Sequence, residues 1–228
     1  MLDTTNTGLM NNDKTRSSSK NTFVYFKVSG AELFRTINNM KNTPSVGIDT
    51  ISIKILKQIN YYIADHLAHI LNYSVHNGSF PTLLKTALVV PIYKKGDATC
   101  IDNYRPISIL NTISKVFERV IYDRMISFLM RFALLTPSQH GFLKNKSTET
   151  ALFEFHDYVT KELDAGHHVV GLYFELSKAF DSLNIDLLIV KLEALGFRGR
   201  FLDFLESYLS NRKLSARVNN VISPNYDI

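Results

Sequence analysis

The sequence lacks most of the features that would cross-link a fold or place it in a membrane. It has one cysteine, Cys100, among 228 residues, which excludes an internal disulfide framework and a zinc site built from cysteines alone. No apolar run is long enough to span a bilayer, and the polar residues 1–22 contain no secretory signal. These absences favour an intracellular protein, in the nucleus or the cytoplasm.

The composition is that of a folded protein whose charge is unevenly distributed. Apolar residues make up 45% of the chain, enough for the core of one or two domains. Residues 84–146 carry ten basic and four acidic side chains, whereas residues 147–228 carry eight basic and twelve acidic ones. This pattern suits a protein that meets phosphates with one part and metal ions with another, although an ordinary uneven surface explains it as well.

The spacing of apolar residues predicts an α+β fold. The polar residues 1–22 are predicted to be a disordered leader. Helical periodicity, with serine caps at some of the starts, predicts helices at 30–40, 50–76, 112–131, 147–165, 185–195 and about 200–209. Short β-branched or apolar runs predict strands at Thr86–Tyr93, Tyr104–Ser108, Val169–Leu176 and Leu214–Val218. Pro91 is expected to confine the first strand to a sheet edge or to lie among its last residues.

The segment YFELSKAFD, which begins at Tyr173, carries the most informative chemistry. Glu175 lies at the end of the predicted buried strand, where an ionised carboxylate is costly unless a cation meets it. If the strand ends there, the Glu175 side chain and the carbonyl of Leu176 can both face a divalent metal such as Mg²⁺. The alternative is that Glu175 pairs with Lys178, three residues further along the chain.

YFELSKAFD resembles the first catalytic motif of the reverse transcriptases of non-LTR (LINE-like) retrotransposons. Other segments resemble the same family in the same order, namely KNTPSVGID, ALVVPIYKKGD, NYRPISIL and PSQHGFLKNKSTETAL. The resemblance covers roughly residues 24–220. It implies fingers and part of a palm of a right-hand polymerase, with a helix-rich front half and a small, truncated antiparallel palm sheet. The fingers-like region would be residues 23–146, and the partial palm residues 147–228.

The resemblance implies a role for each residue that matches a family motif. Glu175 stands where the family has its first metal-binding aspartate, and Phe180 matches the aromatic residue that packs against the sugar of the incoming nucleotide. Arg105 and one of Lys94 or Lys95 match basic residues that meet the triphosphate, with two parallel hydrogen bonds from arginine and a mobile charge from lysine. The alternatives are core packing for Phe180 and ordinary exposed loop charges for the basic residues.

The implied partners are an RNA template, a DNA primer and deoxynucleoside triphosphates, and the implied cofactor is Mg²⁺. Three features depart from the family. Glu175 moves the carboxylate outward by roughly 1.5 Å, where a catalytic constellation tolerates roughly 0.5 Å. Leu143 and Lys146 stand where arginines are usual, and the sequence contains no adjacent pair of aspartates, which the family's two-metal chemistry needs.

These departures lead us to expect a truncated copy of the polymerase that is inactive by itself. Two other hypotheses remain open at this point. One is a non-catalytic RNA- or DNA-binding remnant that keeps the basic fingers surface. The other is a pseudogene fragment with no selected role.

Overall fold

The fold of the chain is α+β, as predicted. The computed structural model describes residues 19–176, 179–219 and 221–228. They divide into two compact units, one formed by Met1–Met125 together with Ile185–Ile228 and the other by Ile126–Asn184. The boundaries of these units differ from the predicted division after residue 146. The chain from Ile185 onward packs with the N-terminal half of the chain, in the first unit. The assignment of fingers-like and palm-like regions stays a prediction.

In the described part of the chain, six helices form where helical periodicity predicts them. They are α1 (Gly30–Asn39), α2 (Ile53–His76), α3 (Thr112–Arg131), α4 (Thr148–Asp164), α5 (Ile185–Leu195) and α6 (Arg200–Leu209). Serine side chains cap three of the starts, because each accepts a hydrogen bond from an otherwise unpaired backbone N–H of the first turn. Ser29 caps α1, Ser52 caps α2 and Ser147 caps α4.

Five strands form one small mixed sheet in the first unit. They are β1 (Thr86–Tyr93), β2 (Tyr104–Ile109), β3 (Lys213–Val218), β4 (Val221–Ile222) and β5 (Tyr226–Asp227). The order is β2-β1-β3-β4, and β5 pairs with β3. β1 is antiparallel to β2 but parallel to β3. The small sheet is therefore present, but it is not antiparallel throughout as expected.

Pro91 lies among the last residues of β1, as predicted. β1 pairs with β3 only from Thr86 to Val89, so Pro91 has a neighbour on the β2 side alone, where it faces Pro106. Because proline has no N–H to donate, this half-paired stretch accepts it without leaving a ladder donor unmatched.

The predicted strand Val169–Leu176 is wrong. These residues form no strand, and their large apolar side chains are mostly exposed, from 76% for Leu172 to 88% for Phe174. A buried strand needs neighbours that pair its backbone and cover its faces. Among residues 126–176 and 179–184 of the second unit, the structure shows no other strand. The sheet is therefore built from the strands of the first unit and not around Val169–Leu176.

The core of the first unit lies where its helices meet the sheet and the chain before α1. Phe117 of α3 and Leu88 of β1 are almost fully buried, and so are Phe197 and Phe204 near and in α6. Most of the predicted leader lies outside the described residues. Its last residues, 19–22, are hydrogen-bonded to the end of α5 and to the turn that follows it, with the Ser19 N–H donating to the Ala194 carbonyl at 2.8 Å.

An ion pair joins α3 to α1 at the edge of this core. Nη2 of Arg124 lies 2.8 Å from Oε2 of Glu32, and the guanidinium also donates to the carbonyl of Phe26. The same guanidinium lies 5.1 Å from the ring centroid of Tyr25, whose pKa burial raises to about 12. The Tyr25 hydroxyl donates to Asn72 of α2 at 3.0 Å. Three segments that are distant in sequence are thus fastened together.

Candidate functional site

The structure brings the three predicted basic residues to one end of the β1–β2 hairpin. Arg105 of β2 lies opposite Ile92 of β1. The backbone N–H of Lys94 donates to the Asn103 carbonyl at 2.8 Å, so the pairing continues just beyond β1. Lys94 and Arg105 are therefore diagonal neighbours on one face of the hairpin, and Lys95 follows at once in the turn.

Local hydrogen bonds hold the turn that presents these side chains. Oδ1 of Asp97 accepts from both the N–H and the hydroxyl of Thr99 at 2.8 Å, and these bonds lower the pKa of Asp97. The Asn103 amide donates to the Asp97 carbonyl at 2.8 Å. Gly96 has φ of 95°, and a Cβ there would lie 2.7 Å from the Asn103 amide nitrogen. The residues KGD after Lys94 thus form a turn in which any residue other than glycine at position 96 would be strained.

The three cations of the hairpin remain available to a ligand. Lys94, Lys95 and Arg105 are exposed. Within the part of the chain that the structure describes, none of them forms an ion pair with an acidic side chain. An exposed cluster without acidic partners attracts phosphate groups. The alternative, that they are ordinary exposed charges, fits the same geometry. The nucleotide-binding role of each residue therefore stays a prediction.

The predicted metal-binding residues, Glu175 and Leu176, lie in the second unit. Glu175 is exposed rather than at the end of a buried strand, and Leu176 is 78% exposed. Lys178, the alternative partner of Glu175, lies outside the described residues. Residues 19–176, 179–219 and 221–228 contain no group of three histidine, cysteine or acidic side chains that could hold a metal ion. Because Mg²⁺ takes one or two protein carboxylates and completes its coordination with substrate phosphates and water, the metal-binding role of Glu175 and of the Leu176 carbonyl stays a prediction.

Phe180 is not a core residue. Its side chain is 76% exposed, which rules out the core-packing alternative. The ring meets Phe142 edge-on, with centroids 5.9 Å apart and an interplanar angle of 84°. This contact joins the YFELSKAFD segment to the segment PSQHGFLKNKSTETAL, two matches to family motifs within one unit. The predicted contact of Phe180 with a nucleotide sugar stays a prediction.

A polar cluster that sequence reasoning missed organises the start of α4. Nε2 of His140 lies 2.6 Å from Oε2 of Glu154, and its Nδ1 lies 2.8 Å from the hydroxyl of Thr150. Thr150 completes a capping box with Ser147. Lys146, where the family usually has arginine, lies 3.8 Å from Glu154. The helical spacing of Thr150 and Glu154 was visible in the sequence, but nothing local placed His140 beside them.

A second missed group is a half-buried carboxylate in the first unit. Glu118 of α3 accepts a hydrogen bond from the Tyr208 hydroxyl at 2.8 Å and one from Ser114 at 3.2 Å. Burial raises the pKa of Glu118 in spite of these donors, and burial with the nearby Glu118 raises that of Tyr208. Glu118 also lines a cavity of about 860 Å³, together with Lys41 and Arg119. The pairing with Tyr208 joins residues 90 positions apart.

The comparisons with known proteins agree with this assignment of motifs. Residues 92–225, more than half of the chain, match the family described as reverse transcriptase (RNA-dependent DNA polymerase). The chain belongs to this family. Its predicted kinship with the polymerases of non-LTR mobile elements is confirmed by its relatives.

Three of these relatives come from Drosophila melanogaster. The probable RNA-directed DNA polymerase from transposon BS is 29% identical over 84% of this chain and 21% of its own length. The corresponding protein from transposon X-element is 27% identical over 86% of this chain and 22% of its own length. The RNA-directed DNA polymerase from mobile element jockey is 25% identical over 79% of this chain and 19% of its own length. The chain thus spans about a fifth of the length of these relatives.

The family has known general requirements. Reverse transcriptases act on a nucleic-acid template with nucleotide substrates, and they generally use a divalent metal, typically Mg²⁺. Among the described residues, no helix is both long enough and apolar enough to cross a membrane.

Proposed function

We propose that this chain is the nucleotide- and template-binding part of an RNA-directed DNA polymerase of a non-LTR mobile element. Its ligands would be the RNA template, the DNA primer and deoxynucleoside triphosphates, in the nucleus or the cytoplasm. The observation that carries the proposal is the exposed end of the β1–β2 hairpin, where Lys94, Lys95 and Arg105 lie together without acidic partners among the described residues. Membership of the family supports nucleic-acid and nucleotide phosphates as the groups that these cations would meet.

The cations of the hairpin suit different parts of this task. The guanidinium of Arg105 can make two parallel hydrogen bonds to one phosphate group, which orients it. Lys94 lies diagonally across the same face and adds a charge that is not tied to one geometry. Lys95, in the turn, can contact a phosphate further along a nucleic-acid strand. Arg105 is accordingly the residue proposed to fix the triphosphate, with one of the lysines beside it.

For the metal, the proposal is limited to two positions. Glu175 and the carbonyl of Leu176 are proposed to face a divalent cation, and Phe180 is proposed to face the sugar of the nucleotide. The described residues bring no second carboxylate to Glu175, so the metal part needs acidic groups beyond those that this fold assembles. The isolated chain is therefore not expected to catalyse nucleotide addition.

Salt-dependent binding of single-stranded RNA tests the role of the hairpin. The triple variant Lys94→Ala, Lys95→Ala, Arg105→Ala should bind more weakly, with a log–log salt slope that is less steep by about 2.1, or about 0.7 for each lost contact. A control with the same change of charge replaces three exposed lysines of the same unit, Lys20, Lys54 and Lys191. Fluorescence anisotropy with a labelled oligonucleotide measures both. Equal slopes for the two triple variants would disprove the proposed role of the hairpin.

Primer extension separates the polymerase hypothesis from that of a non-catalytic binding protein. We expect the polypeptide of residues 1–228 to bind RNA but to add no nucleotides to a primer with Mg²⁺ or Mn²⁺, because one carboxylate cannot clamp both the attacking and the leaving oxygen. The exposed hairpin without an acidic cluster is the observation that favours binding alone. Incorporation that disappears with Glu175→Ala would show instead that the chain carries a working site.

A further inference from the structure

A second basic site lies in the first unit, on elements that the hairpin does not use. A cavity of about 360 Å³ is bounded by the segment before α1, the end of α2 and the turn that leads into α6. Four of its lining residues are basic, namely Lys27, His76, Arg198 and Arg200. None of its lining residues is acidic. We call this group of residues the strap pocket, because the segment that includes residues 23–27 crosses it.

The conformation of the turn between α5 and α6 places its two arginines beside the strap pocket. Gly196 has φ of 109° and Gly199 has φ of 60°, a conformation that side chains with a Cβ rarely adopt. Phe197 between them is fully buried. Since the phenylalanine fixes the turn to the core, the neighbouring Arg198 and Arg200 are held at the rim of the strap pocket.

An aromatic cluster fixes the opposite wall of the pocket to the same turn. The ring of Phe23 lies 5.1 Å from Phe197 and 4.4 Å from Phe201, measured between centroids. The Phe23 N–H donates to the Gly196 carbonyl at 2.9 Å. The Phe23 segment and the turn therefore pack on the same buried rings, which hold the backbone at Arg198 and Arg200 in place before any ligand arrives.

Most of the positive charge of the strap pocket is not neutralised by the protein. Lys27 and His76 are exposed, and in the described ranges neither forms an ion pair. Arg200 lies 3.5 Å from Asp203, but both side chains are more than half exposed, so this pair contributes little. Arg198 donates to the hydroxyl of Thr22 and the carbonyl of Ser19, which are neutral groups.

We infer that the strap pocket binds a backbone phosphate of a nucleic-acid strand, in addition to the phosphates met by the β1–β2 hairpin. Three cations and one histidine around one open cavity match a phosphodiester better than a single surface charge does. The inference rests on the proposed function for the nature of the ligand, since that function supplies a long polyanion. Two phosphate sites in one unit would let a single strand be held at two points.

The test is the salt dependence of RNA binding by the whole chain. The double variant Lys27→Gln, Arg200→Gln should lose about 20-fold in affinity at about 0.1 M salt, with a slope less steep by about 1.4 for two lost contacts. A second variant, Lys27→Glu, reverses one charge at the rim and keeps the ion pair between Arg200 and Asp203 intact. It should also weaken RNA binding. The control with the same change of charge as the double variant is Lys54→Gln, Lys191→Gln, which should leave the slope as in the wild type. The replaced side chains are all exposed, so the thermal midpoint should not change.

The outcomes separate this inference from the proposed function. If the hairpin variant flattens the salt slope and neither pocket variant does, the strap pocket is disproved and the proposed function stands. If the wild-type chain binds no RNA, both are disproved. If the pocket variants bind RNA as weakly as expected and the control does not, the strap pocket is a phosphate site.

Discussion

Helices α1 and α4 both begin with a serine cap, but they differ in how much of their surface is buried. Ser29 caps α1 and Ser147 caps α4, and each helix has a polar and an apolar side. α1, in the first unit, buries Leu33 and Ile37. α4, in the second, has no buried residue, although it carries Leu152 and other large apolar side chains.

The same contrast holds for the two units as wholes. The first unit has a continuous aromatic and aliphatic core, whereas Phe128 is the one buried apolar side chain in the described part of the second. Local sequence is therefore sufficient to start a helix, but burial depends on what the rest of the fold brings to it. The exposed apolar segment Val169–Leu176 also makes the second unit the place where the isolated chain would self-associate.

Hydrogen exchange should show the largest difference between the units. Backbone amides of Val170–Phe174 have no strand partners, so they should exchange at nearly the unprotected rate. Amides in the middle of α2 open only on global unfolding, so their exchange should be slower by a factor of about a thousand or more. Mass spectrometry of dilute, monomeric protein measures both in one sample. Equal protection of the two segments would mean that residues 169–176 are covered in solution.

The same experiment distinguishes two views of the C-terminal end. The predicted palm-like region began at residue 147 and included α5, α6 and β3. In the structure these elements pack within the first unit. We therefore expect amides of α6 to be as protected as those of α2, in contrast to Val170–Phe174. Fast exchange throughout α6 would instead support the division that the motifs predicted.

Matched substitutions of phenylalanine should show the contrast in stability. Phe117→Ala removes a fully buried ring from the first unit and should cost about 3–5 kcal/mol of unfolding free energy. Phe153→Ala removes a ring that is 75% exposed on α4 and should cost less than about 0.5 kcal/mol. Urea unfolding followed by circular dichroism measures both. A large loss for Phe153→Ala would show that α4 is buried against something in solution.

Glu118 should produce the smallest effect, a change of stability with pH in the first unit. Burial raises its pKa above the ordinary value of 4.5, so the folded state favours the protonated form. This contribution is fully present below pH 4.5 and is lost as the pH rises through the raised pKa. Glu118→Gln, which imitates the protonated form, should therefore gain stability relative to the wild type as the pH rises from about 4 to about 8.

A second variant checks the cause of this pH dependence. Tyr208→Phe removes the hydroxyl that donates to Glu118, and the ionised carboxylate needs that donor most. The variant should be less stable than the wild type, and the difference should widen as the pH rises. Chemical denaturation at several pH values measures both variants. A difference between Glu118→Gln and wild type that stays constant with pH would contradict the burial of an ionisable group at this position.

Much of the candidate site could be predicted from the sequence because its signals are local. The turn after β1 depends on Gly96 and Asp97, which lie next to the lysines that they position. The order of the motifs identified the reverse transcriptase family without any contact being known. The exposure of Glu175 could not be predicted, since a run of apolar residues looks the same whether or not a neighbouring strand covers it.

The sequence by itself determined the six helices of the described residues, the caps Ser29 and Ser147, the hairpin strands and the family, since each depends on residues a few positions apart. Only the tertiary structure decided the rest. The parallel pairing of β1 with β3 joins Thr86 to Lys213, and the pair of Arg124 with Glu32 crosses 92 positions. Residues 169–176 have the composition of a strand but form none, because a strand needs a neighbouring strand to pair its backbone groups. Contacts between distant residues depend on where the whole chain places them, and no local pattern encodes that.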